Sequence, residues 1–348
     1  MAIPVISRDP ILDQAEFEAF GCNVPSNNPS TPDRLVPDVA FDRDMDVSFD
    51  LVLADGSHVT MWVFTDPQVG ATFPSPPIRV REGQIVHTTL HASKNTHTIH
   101  HHAIEPTPFN DGVGHTSFEV TGSYTYQWFA KQAGTYIYHC HKNTVLHFQM
   151  GMFGLLIIDP PQGPGFVRRA NAVIPYDVEA FWVPNEIDPV WHSFNHNEGI
   201  SCPSGQDAGL NDFNPTAFLV TGVPSGGTPI TDPRVAINAR VGQTILLRVV
   251  SAGYTVQRYT INGLDAEVIE IDGRPLGQST HSPYSRPFII RAGTPFELTS
   301  AQRWTMLIRP NAAGSFPATV QYKHWIRGNA RLTDSTLHIA RTVINVSP

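Results

Sequence analysis

The chain has 348 residues, enough for two domains of ordinary size. Hydrophobic residues make up 41% and charged residues 16%, which supports a large core and argues against wholesale disorder. A net charge of −8 with no compensating basic patch argues against nucleic acid as a partner, and no apolar run approaches the roughly 18 residues of a membrane span.

Thirty prolines and 26 glycines would interrupt long helices and favour many short strands joined by turns. Residues 1–35 read as a loop-like arm with one short helix near 13–19. From residue 36 the pattern becomes β. DVSFDLVLADGSHVTMWVF alternates apolar and polar residues around a DGS turn, a hairpin signal, and IRVREGQIVHTTLHA does the same around a Gly turn. GSYTYQWFA, GTYIYHCH and FGLLIID are further short β-rich runs, and DPPQGPGF at 159–166 reads as a linker. Eight more short runs follow, from FLVTG to LHIARTVINV. The halves share a loose repeat: Arg81-Glu82-Gly83-Gln84-Ile85 resembles Arg240-Val241-Gly242-Gln243-Thr244. This pattern predicts an all-β chain, with the arm at 1–35 and two tandem Greek-key β-sandwich domains at 36–160 and 166–348.

The three cysteines, Cys22, Cys140 and Cys202, form no CxxC pair, which excludes zinc ribbons and thioredoxin-type redox motifs. A Cys22–Cys202 disulfide would tie the arm to the second half and imply an oxidising compartment; two unpaired thiols are the alternative. The chain opens MAIPVISRDP without a signal-peptide core, so either a signal was removed, as the expected periplasmic or secreted location implies, or the protein was never exported.

Ten of the 16 histidines fall between His87 and His147. One cluster, NTHTIHHHA, holds His97, His100, His101 and His102. The other, YHCHKNTVLHFQMGM, holds His139, Cys140, His141, His147, Met150 and Met152. Strand alternation puts His100 and His102 on one face, and His139 and His141 on one face with Cys140 pointing the opposite way, into the interior. His97 precedes the first strand, and His147 and Met152 follow the second on a loop. Two imidazoles, a thiolate and a thioether are thereby predicted to converge, the ligand set of a blue copper electron-transfer site. The outward set His100, His102, His139 and His141 makes a second potential site. Zinc ligands or surface histidines are the competing reading.

With these residues in view, the chain resembles the multicopper oxidases, the laccase-like branch of the cupredoxins. His97-x2-His100-x-His102 and His139-Cys140-His141 are similar to that family's copper motifs, and His147-x4-Met152 to their end, although the step from His141 to His147 is longer than the family's. The resemblance implies copper as cofactor, with His97, Cys140, His147 and Met152 at the type 1 centre. It implies His100 at a type 2 copper and His102, His139 and His141 at paired type 3 coppers. It covers residues 60–160 specifically and 165–325 more weakly. Copper nitrite reductases are the nearest relatives to compare, but His100 stands where that family carries a proton-donating Asp.

The second half resembles a copper-free oxidase domain: where an HxHG run would stand, it reads Tyr259-Thr260-Ile261-Asn262-Gly263, and no second HCH occurs. The family's trinuclear cluster takes eight histidines and this chain supplies four. The resemblance therefore implies a dimer or trimer that completes the set, or an outer site with one or two coppers, with His324 of a neighbouring subunit as a candidate ligand. His324 as a surface or core histidine is the alternative. The expected activity is one-electron oxidation of a phenolic, aromatic or metal-ion donor coupled to reduction of dioxygen. An electron-transfer protein with a degenerate second site, copper binding without turnover, and nitrite reduction are the alternatives.

Single residues complete the expectations. Glu105 and Asp111 are candidate proton relays, against solvated loop acids. His101 is expected in the core, Met150 as a weaker competitor of Met152, and His87, His91 and His115 at the surface. Trp62, Trp128 and Trp304 are expected to pack in the core or at its rim. His192, His196, His281 and His338 belong to no constellation.

Overall fold

The computed structural model describes residues 36–104, 109–114, 116–197, 210, 213–278, 286–324 and 335–348. The arm, Cys22, Cys202, Glu105, His115 and His281 lie outside the described residues.

The first half folds as two facing sheets. One is five-stranded, built from β1 (Val39–Val52), β2 (His58–Asp66), β3 (Gly70–Ala71), β5 (Ile85–His97) and β7 (Val120–Phe129), in the order β3-β2-β1-β5-β7. The other is four-stranded, built from β4 (Ser75–Arg81), β6 (His100–His102), β8 (Gly134–His139) and β9 (Phe153–Asp159), in the order β4-β9-β8-β6. Val86, Leu90, Tyr124, Tyr126 and Trp128 of the first sheet meet Ile78, Val80, Tyr136, Tyr138, Leu156 and Ile158 of the second in one buried cluster. Fully burying each such side chain stabilises the fold by about 1.5–3 kcal/mol.

The DGS turn makes the predicted hairpin, with Leu51 opposite Val59 and Val52 opposite His58. The Glu82-Gly83 turn does not. β4 pairs with β9, and β5 lies between β1 and β7, so this turn carries the chain from one sheet to the other. Alternation marks a half-buried strand but not its partner.

The second half repeats the plan. Strands 178–182, 245–250, 303–308, 266–271, 274–275 and 288–290 form one sheet, and strands 237–240, 336–347, 314–323, 256–261 and 296–298 the other. Trp182, Leu247, Val249, Val268 and Met306 pack across this gap onto Tyr259, Ile261, Val320, Tyr322 and Ile344.

What joins the halves is β8. Its Tyr136 and Tyr138 face the first core, while Ile137 faces Val183, Leu219 and Val250 of the second half. Thr135, on the same face as Ile137, is the polar centre of this contact. Its N–H donates to Glu270 (2.7 Å), its carbonyl accepts from Arg303 (3.3 Å), and its hydroxyl accepts from Arg248 (2.7 Å). Backbones approach closely here: a Cβ on Gly134 would lie 2.7 Å from the Gly273 carbonyl oxygen. The face of β8 that alternation turns away from the first core is therefore an interior face between the two sandwiches. The histidines expected to look outward sit at the end of that face.

Candidate metal centres

β8 ends on His139, and the chain runs on through Cys140 and His141. Cys140 is fully buried among Tyr126, Trp128, Leu146, Met150 and Met152. His97, the last residue of β5, and His147 complete the inner group; neither is exposed at all. The Cys140 sulfur is 3.6 Å from His97 Nδ1 and 3.3 Å from His147 Nδ1. The three donor atoms lie within 4.8 Å of one another.

His147 sits on a short helix, α1 (Thr144–Gln149), and not on the loop expected. No side chain caps this single turn and no acid precedes it; burial of Leu146, His147, Phe148 and Gln149 holds it. Met152 follows it. Antiparallel pairing of His139 with Phe153 continues as a Cys140 N–H to Met152 carbonyl bond of 3.0 Å. Cys140 and Met152 are thus opposite each other, and opposite residues of an antiparallel pair project to the same face. Met150 is also buried, but its carbonyl is turned to the Trp62 N–H (2.7 Å) at the turn before β9.

Burial sets the protonation of this group. It pushes the Cys140 thiol up to about 11. It takes His147 down to about 3 and, with His147 and His196 close by, His97 down to about 2. A charge without a partner is costly there, so the metal-free site holds a thiol and two neutral imidazoles. Neutral imidazole and a sulfur able to ionise are what a thiophilic metal needs, and two imidazoles, one sulfur and a thioether on the same face are the donor set that suits copper.

The second group lies on the opposite face. His100 of β6 pairs with His139 of β8, and His102 with Ile137, so these side chains share a side. Ligand atoms of His100, His102 and His139 lie within 4.8 Å of one another, and the His141 ring is 5.2 Å from that of His100 and 5.6 Å from that of His139. Main-chain carbonyls fix the rings. His100 Nδ1 donates to the Asp111 carbonyl (2.7 Å), and His139 Nδ1 donates to the Cys140 carbonyl (2.9 Å). Each bond leaves Nε2 with its lone pair toward the shared space, the usual way a ligand imidazole is oriented. His102 is lowered to about 4 by burial and by Arg303, and burial takes His139 well below its ordinary value. His139 is only 4% exposed, a consequence of the second sandwich covering this face.

The other expected residues scatter. Asp111 meets His100 through its carbonyl, with its carboxylate 3.4 Å from His100 Nδ1, so it orients a ring. His324 is buried and its Nε2 donates to the Phe213 carbonyl (3.0 Å); it is not among the residues that converge. His101 lies in the core against Trp128. His87 is buried with its Nε2 on Gln127 (2.9 Å), against the expected surface position, and His91 is at the surface with Asp42. Sequence reasoning missed His196. Its ring is 4.7 Å from that of His97 and 4.5 Å from that of His147, yet it lies 49 positions after His147, in a run with no strand or helix periodicity to place it.

Comparison with known proteins accords with this geometry. Residues 53–163 match the family model described as multicopper oxidase. All seven converging donors and Met152 lie within the matched segment, and copper is the cofactor such a domain carries. Over 217 residues the chain is 27% identical to Laccase-21 of Oryza sativa subsp. japonica, covering 59% of this chain and 34% of that protein. Over 165 residues it is 28% identical to L-ascorbate oxidase of Cucumis sativus, covering 44% and 25%. The chain thus spans about a quarter to a third of the length of these relatives. The fold is that of the blue copper oxidase from Nitrosomonas europaea, with a TM-score of 0.65, 20% identity, and coverage of 88% of this chain and 86% of that one.

Proposed function

We propose that this protein is a copper-dependent oxidoreductase. In this reading a phenolic, aromatic or metal-ion donor gives up electrons singly at the centre of His97, Cys140, His147 and Met152, and dioxygen is reduced at the centre of His100, His102, His139 and His141. The observation that carries it is the Cys140 side chain buried on one face of the strand while His139 and His141 join the imidazole group on the other.

Bound copper would supply one-electron acceptance at the thiolate centre and the four-electron reduction of dioxygen, with four protons, to two waters at the imidazole centre. The chain's own part is positioning and exclusion of water. Full burial of His97, Cys140 and His147 keeps their geometry independent of solvent. The His139-Cys140-His141 backbone joins the two centres by a few covalent bonds. Asp111 and the Cys140 carbonyl hold the outer rings, and the Asp111 carboxylate, partly exposed beside His100, is placed to move a proton. Four imidazoles per chain leave open positions, which a second copy of the chain fills in a dimer or trimer. Reduction of dioxygen on a domain of this kind suits an exported protein, in the periplasm or outside the cell.

The test is Cys140→Ser in the copper-loaded protein. The substitution removes the thiolate-to-copper absorption and the oxygen uptake supported by a one-electron donor, while the fold persists by circular dichroism. A blue band that survives overturns the assignment of the thiolate centre. A blue wild type that consumes no oxygen with any donor is an electron carrier.

A further inference from the structure

The donor side of the thiolate centre is closed by residues from the second half of the chain. Segment 188–197 crosses over it. Trp191 packs on Phe213 with ring centroids 4.9 Å apart, and His192 Nδ1 donates to the Thr60 carbonyl of β2 (2.8 Å). Four residues further on, the His196 ring stacks on Trp62 at 6.0 Å and 27° and meets the rings of both His97 and His147. The His196 carbonyl takes the Nε2–H of His147 at 3.0 Å. Since His147 Nδ1 faces the Cys140 sulfur, Nε2 carries the only ring N–H, and that donor is already used. Trp62 is buried beneath, whereas His196 is partly exposed.

We propose that His196 is a specificity-determining residue. Its ring, laid on the buried Trp62, is the surface a donor meets and covers the His97 and His147 rings, so donors that gain from direct contact with a ligand ring are disfavoured. The inference rests on the copper-oxidase reading above and narrows it. A phenol gives up a proton with its electron and gains from direct contact with the ligand ring. An outer-sphere reductant, such as a reduced metal complex, loses one electron to the centre, moves no proton, and needs contact only with the face of His196. The net charge of −8 favours a cationic donor of this kind over an anionic one.

The experiment follows anaerobic bleaching of the oxidised, copper-loaded protein by guaiacol and by hexaammineruthenium(II), for wild type, His196→Asn and His196→Ala. Removing the ring uncovers the His97 and His147 rings while the main-chain carbonyl of residue 196 stays on His147 Nε2, so His196→Ala lets a phenol ring contact the ligand rings, raises the guaiacol rate about tenfold or more and leaves the ruthenium rate within about threefold. His196→Asn, which removes less volume, gives an intermediate guaiacol rate. Equal changes for both donors, or an unchanged guaiacol rate, overturn the proposal. A second readout needs no copper: alkylation of Cys140 in the metal-free protein by iodoacetamide, located by mass spectrometry, rises about tenfold in His196→Ala because access limits a buried thiol. Unchanged alkylation sinks the screening role. A wild type without a blue band defeats the copper-oxidase reading alone, since the alkylation ratio still decides whether His196 covers the site.

Discussion

The two centres lie on opposite faces of one segment, and they are held by different means. The inner one is enclosed by the first core: its donors come from β5, the end of β8 and α1, and no part of His97, Cys140 or His147 is exposed. The outer one is held by main-chain carbonyls of Asp111 and Cys140 and roofed by the second sandwich, with His100 and His102 only partly buried. In the proposed function the difference separates two tasks. A centre that only passes electrons gains from rigid, dry surroundings, because little has to reorganise. A centre that must admit a small oxidant and protons needs open coordination positions and a path to solvent.

The comparison is broken most severely by removing an outer ring. His141→Ala leaves the inner centre in place, because the His141 ring lies with the outer group and the backbone N–H that donates to Thr98 Oγ1 (2.8 Å) is kept by Ala. The expected result is an unchanged blue band, fewer coppers per chain by elemental analysis, and oxygen uptake reduced about a hundredfold or more. Loss of the band together with the uptake would mean that the two faces are not independent.

A subtler break reaches the outer centre through the backbone. Gly112 has φ +69, and a Cβ there would lie 1.8 Å from the Ile99 carbonyl oxygen, next to His100. Gly112→Ala must shift the 111–112 loop and with it the Asp111 carbonyl that orients His100. Outer copper affinity should fall about 10–100-fold, the usual cost of losing a ligand's orienting partner, with the blue band unmoved. A competition titration against a chelator measures it, and an unchanged outer affinity would show that His100 needs no orienting bond.

Why some of this was readable beforehand follows from the physics of strands. A cysteine flanked by histidines on a strand must send its sulfur to one side and both imidazoles to the other, so the separation of Cys140 from His139 and His141, and the shared face of His100 and His102, could be set out from alternation, whereas His97 and His147 were joined to Cys140 only by the blue-copper donor set they complete. Where the second face points could not. Thr135, Ile137 and His139 form a mixed apolar and polar row that suits solvent as well as an interface, and only packing against Val183, Leu219 and Val250 decides. The Gly83 turn was misread for a related reason: whether β4 and β5 join the same sheet or facing sheets is not written at the turn. α1 is a single turn without a cap, stabilised by burial that composition does not reveal. Main-chain acceptors from Asp111, Cys140 and His196 carry no residue-type signal at all, so the groups that orient the rings were invisible.

The smallest expected effect concerns protons, and it sharpens the contrast between the faces. In the metal-free protein Cys140 sits at about 11 and His147 at about 3. The inner centre therefore holds a protonated sulfur and neutral imidazoles at neutral pH. His102, at about 4, is likewise neutral. A cupric ion binds the thiolate, so filling the inner centre releases the sulfur's proton, whereas the neutral His102 and His139 bind metal without releasing one. Apparent inner-site affinity then rises about tenfold for each unit of pH across the neutral range and levels off only above the thiol's own value. Below the imidazole values it falls more steeply, since the rings must also be deprotonated. Copper titration in weak buffer with a pH indicator should show one more proton released per chain by the wild type than by Cys140→Ser. No difference would mean that the sulfur is already ionised before metal arrives, and that the buried face is less dry than its packing indicates.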